Sequence, residues 1–179
     1  MINTLWKNQK DAFIFLLKVG FIYASWRILK YFGENTPGFL FGWWEKLYAF
    51  GAHALAKSSA YVLRILGYKV YHYKRIVIPE GYPGVEIADL CVGIPSIYIF
   101  TGLILAFGNN WRDRVWFIPM GWFFIYAVNV FRVLSLLFVQ MYYERFFNFA
   151  HTYLYVAITY SLIFLLLVIW MEKFAYRPK

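Results

Sequence analysis

Residues 115–143, VWFIPMGWFFIYAVNVFRVLSLLFVQMYY, decide the fold of this chain. Arg132 is the one permanently charged residue in this stretch. At a rise of about 1.5 Å per residue, a helix of this length crosses a hydrocarbon core of about 30 Å. The sequence therefore predicts a transmembrane helix. A guanidinium near the middle of such a helix costs about 3 kcal/mol on insertion scales, so it indicates either a buried polar contact or a functional site.

Asn129 lies three residues before Arg132, and this spacing places both side chains on one face of the helix. An amide beside a guanidinium forms a polar patch in a segment that is otherwise suited to lipid. The patch is either a structural hydrogen bond between helices or part of a functional site. The residues elsewhere in the chain have to decide between the two.

The composition indicates a polytopic membrane protein, because 62% of the 179 residues are hydrophobic and only 15% are charged. The net charge of +9 is spread along the chain without a basic run or a base-reading motif. We therefore expect membrane lipids, and not nucleic acid, as partners. Cys91 is the only cysteine, so the chain can form no internal disulfide and no cysteine-cluster metal site; no metal and no cofactor is expected.

The predicted fold class is an all-α integral membrane protein with about four transmembrane helices, an interfacial amphipathic helix and a small extracytoplasmic strand hairpin. The expected spans are 12–31, 91–108, 115–143 and 151–170, with short loops over 109–114 and 144–150. The N-terminus resembles a signal peptide but lacks a small-residue cleavage site, so we expect it to stay as the first span. We expect a single transmembrane domain over residues 1–179.

That domain divides into an N-terminal span with the amphipathic helix (1–66), the hairpin (67–90) and a helical core (91–171). Residues 39–66 mix apolar residues with spaced charges, which predicts an amphipathic helix in the membrane interface; a full span is the alternative. Gly67 is expected to cap this helix. The β-branched and aromatic residues that follow, with Pro and Gly between them, predict the hairpin.

Cys91, Arg132 and His151 are expected to meet on one side of the membrane. Cys91 begins one span, the next span ends on the same side, and His151 begins the last span there, whichever way the chain is inserted. Arg132 lies past the middle of its span towards that side, and its long side chain supplies the remaining reach. Basic residues flank the other side: Lys7, Lys10, Arg112, Arg114, Lys173, Arg177 and Lys179. That side is predicted to be cytoplasmic, which places the three residues at the outer face of the membrane.

A thiol, an imidazole and a guanidinium together permit acyl transfer through a thioester. A cation beside a thiol lowers its pKa from about 8.5 into the physiological range, so either Arg132 or a protonated His151 is expected to activate Cys91. His151 can carry a proton, and Arg132 can stabilise an oxyanion or hold a carboxylate. Taken singly, a lone cysteine or histidine is more often a packing or hydrogen-bonding residue.

Further residues are expected to support this site. Asn129 shares a helix face with Arg132, and Gly93 follows Cys91 by two residues. Asp89 lies just before Cys91, with Glu86 and Tyr98 also close in sequence: all three are candidates for supporting polar contacts.

The segments Cys91-Val92-Gly93-Ile94 and Asn129-Val130-Phe131-Arg132, followed by His151, resemble the exosortase and archaeosortase family of membrane sorting enzymes. The chain is similar to the short, exosortase F-like members. The resemblance implies a membrane-embedded cysteine protease or transpeptidase in which Cys91 is the nucleophile, Arg132 its electrostatic partner and His151 the proton carrier. It also implies that the partners are secreted proteins with a C-terminal sorting tail of short motif, hydrophobic helix and basic end. Cleavage would transfer such a protein to an acceptor, and the resemblance implies that this takes place at the periplasmic face of the bacterial inner membrane.

A second hypothesis is a non-enzymatic membrane subunit of an export or assembly complex. In that case Arg132 pairs with an acidic residue of a partner helix. Loss of Arg132 then disrupts the complex, whereas loss of the Cys91 thiol has no effect.

Overall fold

The computed structural model describes residues 2–107 and 110–175, and it describes side chains within residues 13–107 and 110–174. It is mostly helical, with one small antiparallel sheet. The helices are α1 (Ile2–Asn35), α2 (Phe39–Ile65), α3 (Asp89–Val92), α4 (Ile94–Ala106), α5 (Trp111–Tyr142), α6 (Phe147–Phe149) and α7 (Tyr155–Trp170), and the strands are β1 (Val70–Tyr73), β2 (Ile76–Pro79) and β3 (Val85–Glu86). Several residues used in the topology prediction lie outside the described part: Gly108, Asn109, Arg177, Lys179 and the side chains of Lys7 and Lys10.

One face of α2 forms the centre of the core next to the sheet. Small and apolar side chains recur every three or four residues on this face and are buried: Ala52, Leu55, Ala56, Ser59, Ala60 and Leu63. The apolar members of this set belong to the same packed cluster as Val77 of β2, Leu137 of α5 and Cys91. Glu45 and Lys57 are exposed, so the helix has the two faces that its sequence predicts.

Gly67 ends α2 as predicted. Its φ is 90°, a left-handed conformation that glycine adopts without a Cβ penalty. The N–H of Gly67 donates to the carbonyl of Arg64, and the N–H of Tyr68 donates to the carbonyl of Leu63, both at 3.0 Å. These are the two hydrogen bonds of a Schellman motif, and they turn the chain from α2 into β1.

The predicted hairpin is present and gains a third strand. The sheet order is β1-β2-β3, and both neighbouring pairs are antiparallel. β3 has only two residues and leads directly to α3. The sheet therefore places the start of α3, and with it Cys91, next to α2 and α5.

The prediction of one continuous helix over 91–108 is wrong. Cys91 lies on α3, and Gly93, with a φ of 80°, separates α3 from α4. Pro95 then occupies the first turn of α4, where its missing N–H breaks no helical hydrogen bond. The 13 residues of α4 extend over about 20 Å at 1.5 Å per residue, which is less than a hydrocarbon core of about 30 Å.

The helix predicted over 115–143 is confirmed, but α5 begins earlier, at Trp111. The side chain of Asn110 accepts a hydrogen bond from the N–H of Arg112 at 3.2 Å and so caps the helix. Most of the predicted loop over 109–114 is therefore the first turn of α5. Further along, Gly121 packs directly against the ring of Phe100 of α4, so closely that a Cβ at Gly121 would collide with that ring.

The predicted loop over 144–150 is also wrong. A 3₁₀ turn (Glu144–Phe146), α6, a π-helical turn (Ala150–Leu154) and α7 follow one another without an irregular segment. No glycine or proline occurs between Glu144 and Trp170, so nothing in the sequence ends the helix there. His151 therefore lies inside a helical segment and does not begin one.

Two helical segments of the described chain are long and apolar enough to cross a membrane, Trp111–Tyr142 and Glu144–Phe174. Helix α4 is apolar but shorter. The chain is thus a membrane protein by composition and by these helices, whereas four spans are not confirmed. How α1, α2 and α4 sit in the bilayer stays a prediction.

Candidate active site

Cys91 lies on α3, between the end of the sheet and the break at Gly93. Its N–H donates to the carbonyl of Ala88 at 2.8 Å, which closes the first turn of α3. The side chain is 3% exposed and contributes to the wall of a cavity. The sheet and the helix break together hold the only thiol of the chain against α5.

Gly93 and Asn129 are in direct contact, so two residues predicted to support the site come together. A Cβ at Gly93 would collide with Nδ2 of Asn129, and the φ of 80° is also unfavourable for any residue with a Cβ. Glycine at this position lets the chain turn sharply after Cys91 while its backbone lies against α5. Asn129 is 2% exposed, and its Nδ2 has no hydrogen-bond partner among the described residues.

Arg132 lies on the same face of α5 as Asn129 and is 6% exposed. Its Nη2 donates to the backbone carbonyl of His151 at 3.4 Å. Within the part of the chain that the structure describes, Arg132 forms no ion pair with a carboxylate, and its Nε has no hydrogen-bond partner. The guanidinium is thus a buried positive charge that faces the segment carrying His151.

His151 lies in the π-helical turn Ala150–Leu154. Its Nε2 is 3.8 Å from Sγ of Cys91, a distance suited to a long hydrogen bond to sulfur. The imidazole stacks on Phe147 with a 9° angle between the rings and 6.0 Å between their centroids. A π-helical turn inserts an extra residue into a helix and shifts the side chains that follow, and such turns occur frequently at functional sites. Here Phe147 and the turn orient the imidazole towards the thiol.

Cys91 and His151 line one cavity of about 570 Å³. Its walls come from the segment after β2 and through β3, from α5 and from the helical segment around His151; the lining residues include Gly84, Val85, Glu86, Ile87, Ala88, Asp89, Val133, Leu136, Gln140 and Phe147. The cavity therefore brings the backbone of an edge strand next to a thiol and an imidazole.

Asp89 and Glu86 also line the cavity, as their nearness to Cys91 in sequence suggested. Asp89 forms an ion pair with Arg75, with Oδ1 and Nη1 3.1 Å apart. Tyr98 does not line this cavity; its hydroxyl is hydrogen-bonded to Ser25 of α1 at 3.0 Å. A helix break two residues after Cys91 redirects α4, which explains why Tyr98 is absent from the cavity.

Among the cavity residues that sequence reasoning did not find, three have polar or aromatic side chains: Arg75, Gln140 and Phe147. Arg75 lies in the turn between β1 and β2, so only the pairing of the strands brings it to Asp89. Gln140 is an amide near the end of α5, and its position two turns after Arg132 was the available signal. Phe147 fell in a region that was predicted to be a loop.

Burial raises the pKa of the Cys91 thiol, whereas the charge of Arg132 and a backbone hydrogen bond with Ala88 lower it. Burial is the largest cause, so the net direction is upward. The expectation that neighbouring cations bring this pKa down into the physiological range is therefore wrong for the free protein. The thiol needs a proton acceptor within reach, and Nε2 of His151 occupies that position.

No group of three or more His, Cys, Asp or Glu side chains is arranged to hold a metal ion among the described residues. The candidate site is thus a thiol, an imidazole and a buried guanidinium, the groups that a cysteine acyl-transfer enzyme uses.

A family model described as transmembrane exosortase matches residues 12–170, a range that contains Cys91, Arg132 and His151. The chain belongs to the transmembrane exosortase family. The resemblance found from its sequence is thereby confirmed at the level of the family, and this exosortase is a member of a group of membrane sorting enzymes. No curated protein and no solved structure was found to match this exosortase.

Proposed function

We propose that this exosortase is a cysteine transpeptidase that cleaves the C-terminal sorting tails of secreted proteins. The observation that carries the proposal is the 3.8 Å distance between Sγ of Cys91 and Nε2 of His151, two residues that line one cavity. The charged Arg132 side chain is bonded to the backbone carbonyl of the same histidine. These residues are far apart in sequence and lie on different helices. A thiol and an imidazole at this distance form a nucleophile and base pair.

In the proposed first half-reaction, Nε2 of His151 takes the proton of the thiol as Sγ attacks the scissile carbonyl carbon. The peptide C–N bond breaks, His151 returns the proton to the leaving amine, and the secreted protein remains on Cys91 as a thioester. In the second half-reaction, an acceptor nucleophile loses a proton to His151 and attacks the thioester, which releases the thiol. Water as the acceptor gives hydrolysis, and another nucleophile gives transfer.

Arg132 supplies positive charge as negative charge develops. Its Nη2 donates to the carbonyl of His151 in the π-helical turn, and its buried Nε has no hydrogen-bond partner among the described residues. Because the guanidinium is buried, its field is screened less than it would be in water. We propose that Arg132 stabilises both the thiolate and the oxyanion of the tetrahedral intermediate.

The proposed location is the bacterial inner membrane, with the cavity facing the periplasm. Two basic residues support this orientation: Arg112 lies at the start of one apolar helical segment and Lys173 near the end of the other, whereas the cavity residues Gln140 and Phe147 lie at the opposite ends of these segments. A site on that face would meet secreted proteins after export, while their hydrophobic tails still lie in the membrane.

The test is processing of a co-expressed secreted protein whose C-terminus has a hydrophobic helix and a basic end. We expect Cys91→Ala to abolish processing, His151→Ala to reduce it by about 10²-fold or more, and Arg132→Ala by about 10²–10³-fold. His53→Ala and Arg27→Ala are matched controls, because both side chains are exposed and lie outside the cavity. Hydroxylamine, supplied as an acceptor, should release the processed protein as a hydroxamate, which mass spectrometry detects.

Normal processing by Cys91→Ala would refute the proposal. The alternative function, a non-enzymatic subunit, is favoured by one observation: the structure shows no carboxylate paired with Arg132 among its described residues. That hypothesis predicts that Arg132→Ala removes the protein from a larger complex, as seen by native electrophoresis, while Cys91→Ala leaves the complex and its activity intact.

A further inference from the structure

The free edge of the small sheet borders the cavity that contains Cys91. β3 pairs with β2 on one side only, because it is the last strand in the order β1-β2-β3. All six residues from Gly84 to Asp89 line the cavity. A strand edge, and not only its side chains, is therefore part of the cavity wall.

The strand register shows which backbone groups of β3 are unpaired. Ile76 is the partner of Glu86, and the N–H of Ile87 donates to the carbonyl of Arg75 at 2.9 Å. In an antiparallel ladder, hydrogen-bonded pairs alternate with pairs that are not hydrogen-bonded. Because Ile87 and Arg75 form a hydrogen-bonded pair, the neighbouring pair Ile76–Glu86 is not hydrogen-bonded. The N–H and C=O of Glu86 therefore point away from β2, towards the free edge. No other group among the described residues forms a hydrogen bond with them.

On the opposite edge of the sheet, formed by β1, a backbone carbonyl that points outward has a hydrogen-bond partner. On β1, the carbonyl of Val70 accepts hydrogen bonds from Nε and Nη2 of Arg64, at 3.1 and 2.9 Å. The N–H of Glu80 donates to the carbonyl of Lys69 at 2.8 Å, so the register directs the Val70 carbonyl away from β2. The Val70 carbonyl is thus covered by an arginine of α2, whereas the Glu86 backbone at the cavity has no such partner among the described residues.

We infer that the β3 edge binds the segment around the cleavage site of a substrate as an added, extended strand. This inference rests on the proposed function and names how its substrate is held. An open edge strand forms ladder hydrogen bonds with any extended peptide, since the bonds involve only main-chain groups. From Gly84 to Ala88 the edge extends over about 13 Å at 3.3 Å per residue, enough for about four or five substrate residues.

The position of the edge explains how the peptide reaches the thiol. The carbonyl of Ala88 is already bound by the N–H of Cys91, so the free part of the edge ends where α3 begins. A peptide paired with Glu86 is therefore led along the cavity wall to the side that carries Sγ. Side chains of alternate substrate residues then face the cavity and the opposite direction, as in any strand.

The edge is tested with one pair of substitutions at the same residue. Glu86→Pro removes the N–H that points to the free edge, and proline is tolerated on an edge strand at such a position. Glu86→Ala removes the exposed carboxylate and keeps the N–H. The rate at which iodoacetamide alkylates Cys91, the only thiol, reports whether the site keeps its geometry in both variants.

Binding is measured in detergent micelles with a fluorescent synthetic peptide that covers the cleavage region of the tailed substrate. The enzyme carries Cys91→Ala, so no chemistry takes place. We expect Glu86→Pro to weaken binding about tenfold, the loss of one main-chain hydrogen bond, and Glu86→Ala to weaken it much less. N-methylation of single peptide amides should weaken binding at every second position.

The inference would be overturned if the peptide bound Glu86→Pro and Glu86→Ala with equal affinity, or if it bound neither of them. It would also be overturned if N-methylation weakened binding without alternating along the peptide. These outcomes are separate from those of the proposed function. If wild-type enzyme and Cys91→Ala process the tailed protein equally, the proposed chemistry fails, whatever the peptide binding shows. If wild-type enzyme processes it but Glu86→Pro and Glu86→Ala bind and process alike, only the edge inference fails.

Discussion

Substitution of Gly93 by alanine should perturb the site through two separable costs. The first is the φ of 80°, which costs a residue with a Cβ about 1–2 kcal/mol. The second is the collision of the new Cβ with the Asn129 amide, a case of overpacking that typically costs about 1–3 kcal/mol. We therefore expect Gly93→Ala to reduce the free energy of unfolding by about 2–5 kcal/mol.

Gly67 provides the matched control. Its φ of 90° is similar, but a Cβ there would have nothing within 4 Å. Gly67→Ala should therefore show only the first cost, about 1–2 kcal/mol. The apparent melting temperature, followed by the fluorescence of the eight tryptophans in detergent, should fall about twice as far for Gly93→Ala as for Gly67→Ala. Processing of the tailed substrate should be lost in Gly93→Ala only, because the displaced Asn129 lies on the same face of α5 as Arg132.

The contact is isolated by a double-mutant cycle with Asn129→Ala, which removes the two atoms nearest to the new Cβ. The double variant should be more stable than the sum of the two single effects predicts, by about the overpacking cost of 1–3 kcal/mol. Additive effects, or equal melting temperatures of Gly93→Ala and Gly67→Ala, would show that the packing of Gly93 on Asn129 is not what holds this turn.

Two further predictions concern the thiol and the helix packing. Because burial raises the pKa of the Cys91 thiol and Arg132 opposes the rise, the rate of its alkylation by iodoacetamide should increase with pH, with a midpoint above that of a free cysteine peptide. Arg132→Leu should move that midpoint further up; an unchanged or lower midpoint would contradict the proposed electrostatic role. Gly121→Ala should lower the melting temperature, because its Cβ would collide with Phe100. Gly20→Ala is the control: its Cβ would have nothing within 4 Å, so the melting temperature should stay unchanged or rise. The opposite order of the two melting temperatures would refute the close packing of α4 on α5.

Hydrophobic patterning identified the elements that local sequence controls. The long apolar stretch predicted α5, and the φ of Gly67 follows from the need of a helix for a left-handed residue at its C-terminal cap. The β-branched residues before Pro79 predicted the hairpin, since they favour an extended backbone. In each case the residues that determine the structure are neighbours in sequence.

The two errors in the helix boundaries have different causes. The apolar run 91–108 has the composition of one helix, but the packing of Gly93 on Asn129 selects a left-handed turn that divides it. Residues 144–150, predicted as a loop from Glu144 and Arg145, continue as helix into the π-helical turn that carries His151. In the first case a residue of another helix decides the outcome, whereas in the second the lack of glycine and proline was a signal in the sequence that the loop prediction overlooked.

By itself, the sequence determined that this chain is a membrane protein with one thiol and one guanidinium near the middle of a long apolar helix, because helix length and hydrophobicity are local properties. Only the tertiary structure decided the 3.8 Å distance from Sγ to Nε2, the ion pair of Arg75 with Asp89 and the open edge of β3 at the cavity. Those depend on the direction in which elements far apart in sequence pack, and packing is set by the shapes of all the contacting side chains together.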